Sequence, residues 1–252
     1  MTGDLARRSV MRTLRQPANI IPTIVFPMVL VAVNAEGLDA ATKIPGFPAD
    51  SYLDFGIAVP FVQGGLFAMM NAGTDLANDV EGGFLKRLAL TPVSRLALLG
   101  GQLAGVVLLS FLAAVFYLVI GAIAGVDLQT GFGGALVLIA LAIGLGMAFA
   151  SFGAFIGLRT GSGQAVQGFF PLFFVLLFLS SANMPRPLIE QDWFRTIATW
   201  NPVSYLVEGV RSLIITGWDG AALWKAAVII VVATAVGTYG ATRALRTAMV
   251  RT

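Results

Sequence analysis

The sequence predicts an all-α integral membrane protein. Six transmembrane helices are expected, with an N-terminal amphipathic interfacial helix ahead of them, a short helix on the cytoplasmic face, and a short extracellular re-entrant helical segment before the last span. Composition is the first reason: 57% of the 252 residues are hydrophobic and 12% charged, with a mean hydropathy of +0.85, where soluble domains carry about 25% charge. Patterning is the second, because the apolar residues fall in runs of about 20, the length that crosses a hydrocarbon core. Six such runs use roughly half the chain, so residues 1–252 form a single membrane domain with no separate soluble unit.

The elements follow in order. Leu5, Val10, Met11 and Leu14 interleave with Arg7, Arg8, Arg12 and Arg15, the make-up of a helix lying on an anionic membrane surface. No signal-peptide core or small-residue cleavage site precedes the first span, which is expected to be retained. That span runs from about Ala18 to Val33, with Pro22 and Pro27 inside it. Prolines free backbone carbonyls, so the helix should be kinked and packed on neighbours. The loop Asn34 to Ser51 carries Glu36, Asp39 and Asp50. The second span covers Tyr52 to Thr74 and contains Pro60. The third and fourth, Leu96 to Gly125 and Phe132 to Leu158, are joined by a turn at Asp127 into a hairpin. Arg159 to Gln164 is a polar break, the fifth span is Ala165 to Asn183, and the last is Ala221 to Thr242.

Six crossings put both termini on one side. That side, with the segment from Asp75 and the break at Arg159, holds eleven Lys or Arg against five in the opposite loops; both termini are therefore expected in the cytoplasm. Arginine outnumbers lysine 13 to 3 and Ala and Gly abound, the composition of a GC-rich bacterial gene and hence of a bacterial cytoplasmic (plasma) membrane protein. The basic residues sit at chain ends and span edges rather than on one soluble face, so nucleic acid is not an expected partner.

Met184 to Gly220 is too polar to span and is assigned to the outer face. Within it, Tyr205 to Ile215 has apolar residues at helical spacing, with Glu208 and Arg211 three apart and able to pair. Three GxxxG patterns, Gly101/Gly105, Gly121/Gly125 and Gly153/Gly157, are candidate sites of close helix approach, although 29 glycines make chance matches expected.

With no Cys and no His there is no thiolate nucleophile, no sulfur metal site and no imidazole base; no catalytic and no metal-ligating residues are assigned. An intramembrane enzyme would have to rely on Ser with Lys or Asp, and the three lysines lie outside the spans or, as Lys225, near the start of the last. An ion-coupled secondary transporter or channel stays open as an alternative, but it would need ionisable groups at the bilayer midplane, and no unpaired charge is placed there. No GxxxxGK[ST] loop occurs, so no cofactor is expected to be bound by this chain.

The strongly charged mid-chain segment runs from Asp75 to Arg95. It supplies Asp79 and Glu81, the flexible pair Gly82-Gly83, and Phe84 to Leu90, expected to be a short cytoplasmic helix that ends before Pro92. Phe84 and Leu88 fall one turn apart and suit a knob entering a partner's groove. The run Glu81-Gly82-Gly83-Phe84-Leu85-Lys86-Arg87-Leu88-Ala89-Leu90-Thr91-Pro92-Val93-Ser94-Arg95 resembles the cytoplasmic motif of type-2 ATP-binding-cassette (ABC-2) exporter permeases. Gly83 stands where that motif has threonine and Lys86 where it has an acidic residue. Asn201-Pro202-Val203-Ser204-Tyr205-Leu206-Val207-Glu208-Gly209-Val210-Arg211 is similar to the family's second signature, and the whole most resembles the daunorubicin-resistance branch of drug and lipid exporters.

The resemblance implies a permease that pairs with a second copy or a paralogue and docks on a separate nucleotide-binding ATPase subunit, where ATP and Mg would be bound. ATPase coupling then falls to Asp79, Glu81, Gly82, Phe84, Leu85, Arg87, Leu88 and Pro92, in and around a coupling helix. Asn201, Pro202, Tyr205, Glu208 and Arg211 become an extracellular gate. Gln63 and Asn71, with the aromatic stripe Phe170, Phe174 and Phe178, are candidates for the path of a hydrophobic or amphiphilic, drug- or lipid-like substrate. The alternative for all five is packing between helices or against membrane lipid.

Overall fold

The computed structural model describes residues 2–84 and 95–250. Ten α-helices are seen among them: α1 Thr2–Leu14, α2 Pro17–Leu38, α3 Tyr52–Gly56, α4 Ala58–Glu81, α5 Arg95–Ile123, α6 Gly131–Thr160, α7 Gly163–Phe178, α8 Asp192–Trp200, α9 Pro202–Arg211 and α10 Gly220–Val250. No strand occurs among the described residues. Five helical segments are long and apolar enough to cross a membrane: Ile20–Lys43, Tyr52–Glu81, Leu99–Ile123, Gly131–Thr160 and Gly220–Thr247. The chain is a multi-pass membrane protein.

The sixth expected span is shorter than its apolar run. Helix α7 has 16 residues, about 24 Å at 1.5 Å per residue, against a core of about 30 Å. It stops at Phe178 because two residues beyond, Ser181 and Ala182, are drawn into hydrogen bonds with Ser204 and Arg211 of α9. Other boundaries move too. Helix α2 runs on to Leu38, followed by a 3-10 turn over Asp39–Lys43, so half of the expected loop is helical. The second span breaks at Ile57 and then continues through Asp75 and Asp79 to Glu81. The break leaves Pro60 in the first turn of α4, where a missing N–H leaves no bond unmade. Helix α10 extends past Thr242 and carries Arg243 and Arg246 on its own last turns.

Helix α4 is the axis of the bundle, with most of its residues buried. It packs on α6, which packs in turn on α10 and α5. Small residues make this possible. A Cβ on Gly73 would meet the Gly153 carbonyl oxygen and Val166 at 2.6 Å, and Cβ atoms on Gly153 and Gly157 would strike the Met69 and Gly73 carbonyls. Gly153/Gly157 is thus a backbone-to-backbone contact of the kind small residues permit in lipid. Gly101/Gly105 is a second, closed by Leu5, Ser9 and Thr13 of α1. The Gly121/Gly125 match is not a helix pair: Gly121 faces Ile57, while Gly125 lies past the end of α5 in a left-handed turn, φ +89°.

The prolines of α2 behave as backbone chemistry requires. Pro27 cannot donate to the Thr23 carbonyl one turn back; the Tyr117 hydroxyl of α5, buried, donates to it instead at 3.0 Å. Asn71 of α4 donates to the Thr23 hydroxyl at 3.4 Å. The outer faces of α2 and α10 leave Ile21, Val25, Val29 and Val33, and Val228, Val232 and Val236, exposed. These are stripes a bilayer or a second membrane chain covers.

The α4–α6 contact predicts a clear contrast. Gly73→Ala should lower stability by about 1–3 kcal/mol, the usual range for overpacking a tight contact. Gly168→Ala, where a Cβ meets nothing within 4 Å, should leave it unchanged or raise it. Thermal unfolding in detergent separates the two, and equal melting points would sink the close-contact account.

Candidate functional site

Two polar constellations lie at opposite ends of α4, separated by its 24 residues, about 36 Å. The first is at its C-terminal end. Arg8 and Arg12 are four apart on α1, and Asp75 and Asp79 four apart on α4, so each pair shares one helix face. The faces meet. Arg8 donates to both carboxylate oxygens of Asp79, at 2.8 and 3.2 Å. Arg12 reaches Asp75 at 2.8 Å and Asp79 at 3.5 Å. Asp79 is only 5% exposed. A buried carboxylate of this kind needs charged donors around it, and a two-point fork is the strong form of that bond.

The Arg8 guanidinium also lies 3.9 Å over the Phe84 ring. Below it, Leu5, Leu76, Leu99, Leu158 and Leu245 form an apolar cluster against which Phe84 packs. Helix α4 ends through the glycine pair: Gly82 caps it on the Asn78 carbonyl and Gly83 turns the chain out at φ +67°. That left-handed conformation strains a β-branched side chain, which gives a physical reason for glycine where the resembling motif has threonine.

Among the predicted coupling residues, Glu81 and Gly82 are exposed and Phe84 half-buried, while Asp79 turns inward to α1. Leu85, Arg87, Leu88 and Pro92, with the expected helix beyond Phe84 as far as Leu90, lie outside the described residues.

The second constellation gathers the other signature at the opposite end. Asn201 caps α9, accepting from Val203 N–H at 2.9 Å, and donates to the Leu176 and Leu179 carbonyls at the end of α7. Pro202 takes the first position of α9, where no N–H is needed. Ser204 links the Ala198 carbonyl to the Ser181 N–H, and the Tyr205 hydroxyl donates to Thr199 at 2.8 Å.

Glu208 and Arg211 do not pair with one another. Glu208 takes a two-point bond from Arg186, at 2.7 and 2.6 Å, whose guanidinium stacks 4.6 Å over Tyr205. Arg211 points the other way and donates to the carbonyls of Phe55, Ser181 and Ala182, at 2.8 to 3.0 Å. It stacks 3.5 Å over the Phe55 ring. Three carbonyls left over where α3 and α7 end attract the guanidinium more than a carboxylate that already has its own fork. Directly after Arg211 the chain forms a π-turn, Ser212–Thr216, tied to the α5–α6 turn through bonds from Thr130 and Gln129 to the Leu213 and Ile214 carbonyls. Val207, Val210 and Leu213 enter the main core, so the expected single helix is instead α9 plus a π-turn, preceded by α8.

A family model described as ABC-2 type transporter matches residues 4–215, a span that holds both constellations. The chain belongs to this family. Comparison with individually curated proteins gives no match. As an ABC-2 membrane domain it is a transport permease component rather than an ATPase, and such domains normally pair with an ATPase subunit.

Of the residues expected to line a path in this ABC-2 permease, Phe170, Phe174 and Phe178 do form a stripe, with ring centroids 5.5 Å apart and stacked for the first pair and 5.2 Å apart and edge-on for the second, continued by Phe67 of α4, 5.4 Å from Phe170. Gln63 is buried at 1% exposure, its Oε1 without a partner among the described residues, beside a small cavity it shares with Phe178 and Leu177. Asn71 bonds Thr23, as above. On the far side of α7 a wholly apolar groove of about 500 Å³ opens between α6, α7, α9 and α10, lined by Phe149, Phe152, Phe173, Leu206 and Val232. Sequence reasoning missed this groove, and missed Arg8 and Arg12 as partners of Asp75 and Asp79. The second omission had a visible signal: two charge pairs of opposite sign, each at helical spacing.

A double-mutant cycle checks the clamp. Arg8→Ala and Asp79→Ala should each destabilise the chain, and the cycle should return a coupling energy of about 1–3 kcal/mol. A coupling near zero would mean that the fork contributes nothing.

Proposed function

We propose that this chain is the permease subunit of an ATP-driven exporter that carries a hydrophobic or amphiphilic substrate, drug- or lipid-like, out of the cytoplasm. Family membership supports the permease role, and the basic residues gathered at the α1 end support cytoplasmic termini. On this reading α7 with the turns beyond it makes the sixth crossing, α1 lies at the inner interface, and α8 and α9 form the re-entrant outer segment. Two permease subunits, identical or paralogous, work side by side, each on its own ATPase subunit that binds ATP and Mg.

The observation that carries the reading is the placement of Glu81 and Phe84. Glu81 is the exposed last residue of the central helix, and Phe84 follows it, held under Arg8. A push on the segment they begin reaches α4 through the Gly82-Gly83 turn and α1 through the Arg8 stack. Because α4 meets α6 backbone to backbone, the motion passes into the bundle as a shift of packed helices rather than as local bending. At the far end, the Arg211 bonds to the Phe55 carbonyl and to the end of α7 pass it on to the outer segment, the proposed gate. The apolar groove beside α7 and the aromatic stripe are surfaces on which an apolar passenger can slide without leaving polar groups unpaired.

Glu81→Ala and Phe84→Ala should leave folding and assembly with the ATPase intact while lowering ATP-dependent transport in proteoliposomes at least tenfold, with hydrolysis continuing. Normal transport by both variants would refute the coupling role, and transport driven by a proton gradient with no ATPase present would favour an ion-coupled carrier.

A further inference from the structure

The outer end of the bundle holds a cleft of about 450 Å³ whose charges do not balance. Arg186, Arg195, Arg211, Glu208 and Asp219 line it. Glu208 is committed to Arg186. Arg195 pairs with Asp192, outside the lining. Asp219 caps α10, accepting from the N–H groups of Ala221 and Ala222. Arg211 has no carboxylate within ion-pair distance among the described residues, although it is only 7% exposed. Its three carbonyl acceptors and the Phe55 ring use one face and three of five N–H groups, leaving donors for a ligand in the cleft. Burial lowers its pKa to about 9, with Glu208 and Tyr52 pulling the other way, so it is charged at neutral pH. A buried cation of this kind calls for an anion.

The rest of the cleft tells which anion. Its walls are apolar, formed by Pro48, Pro185, Pro187, Phe55 and Ile215. The four tryptophans of the chain are 60% or more exposed, with Trp193, Trp200 and Trp218 in the outer segment and Trp224 at the start of α10 beside it. Exposed tryptophans gather where headgroups meet acyl chains. The cleft therefore opens at the depth of lipid phosphates, with the Arg211 guanidinium in its lining and greasy walls around it. We propose that it is a binding site for the phosphate group of an anionic phospholipid, seated on Arg211 with Arg195 at the mouth. The inference rests on the chain lying in a bilayer and is independent of what it transports or in which direction.

The tryptophans supply the test, since all of them report from this end and none from the basic opposite face. The full chain is placed in phosphatidylcholine vesicles doped with phosphatidylglycerol carrying brominated acyl chains, which quench nearby tryptophan. Quenching should saturate at a mole fraction well below that needed with brominated phosphatidylcholine, and Arg195→Gln should raise the midpoint about fivefold. Arg211→Lys, which keeps charge but loses the fork, should weaken the preference as well; if that variant does not fold, the exposed Arg195 decides alone. Displacement of the brominated lipid by millimolar inorganic phosphate assigns the site to free phosphate rather than to a headgroup, and retention assigns it to the lipid. Equal quenching by the two brominated lipids, or a preference unchanged in the folded variants, overturns the proposal.

Discussion

Backbone contact between α4 and α6 is the constraint on which the rest depends. At Gly73, Gly153 and Gly157 the two helices approach so closely that a single methyl group would separate them. In lipid there is little hydrophobic drive to press helices together, so such contacts must supply packing and dispersion energy directly. The consequence is mechanical. Helix α4 cannot bend away from α6 at its middle, and what happens to one end is felt at the other.

Both polar constellations make sense as fittings on that rod. The first attaches α1 and the start of the Phe84 segment to its C-terminal end, with two arginines facing two aspartates. The second fastens the α3 corner, the end of α7 and the π-turn around Arg211. Each uses charge in a buried setting, and the second also satisfies groups that helix ends leave open: the carbonyls of Leu176 and Leu179 through Asn201, and those of Phe55, Ser181 and Ala182 through Arg211. Leaving such groups bare in a water-poor site would destabilise the fold by about 1–3 kcal/mol apiece. The second signature is therefore a structural knot, which is compatible with gating only if it moves as one body.

The sequence carried the class of fold and most of the helices, because long apolar runs leave few alternatives in a bilayer. It misplaced what depends on tertiary partners. The end of α7 could not be read from hydropathy, since Leu179 to Ala182 are apolar or small enough to continue a helix and leave it only for bonds made with residues far along the chain. The break at Ile57 likewise lies inside an apolar run. Glu208 and Arg211 had the spacing of a helical ion pair, and local spacing could not reveal that Arg186 and three free carbonyls compete for them more strongly. Asp79 had looked available to a partner because its segment reads as a polar loop; in the fold α4 simply continues past it and α1 covers it.

Gly83 shows where sequence and structure inform one another. As a departure from the ABC-2 motif it reads at first as a weakened match. In the structure it is the residue that permits a left-handed exit from α4, with nothing among the described residues within 4 Å of where a side chain would begin. The turn is thus set by backbone conformation, and it is the joint between the central helix and Phe84. On the proposed coupling role, the stiffness of the transmission lies in the Arg8 stack on Phe84, and a force on the segment would pass through α1 as much as through α4.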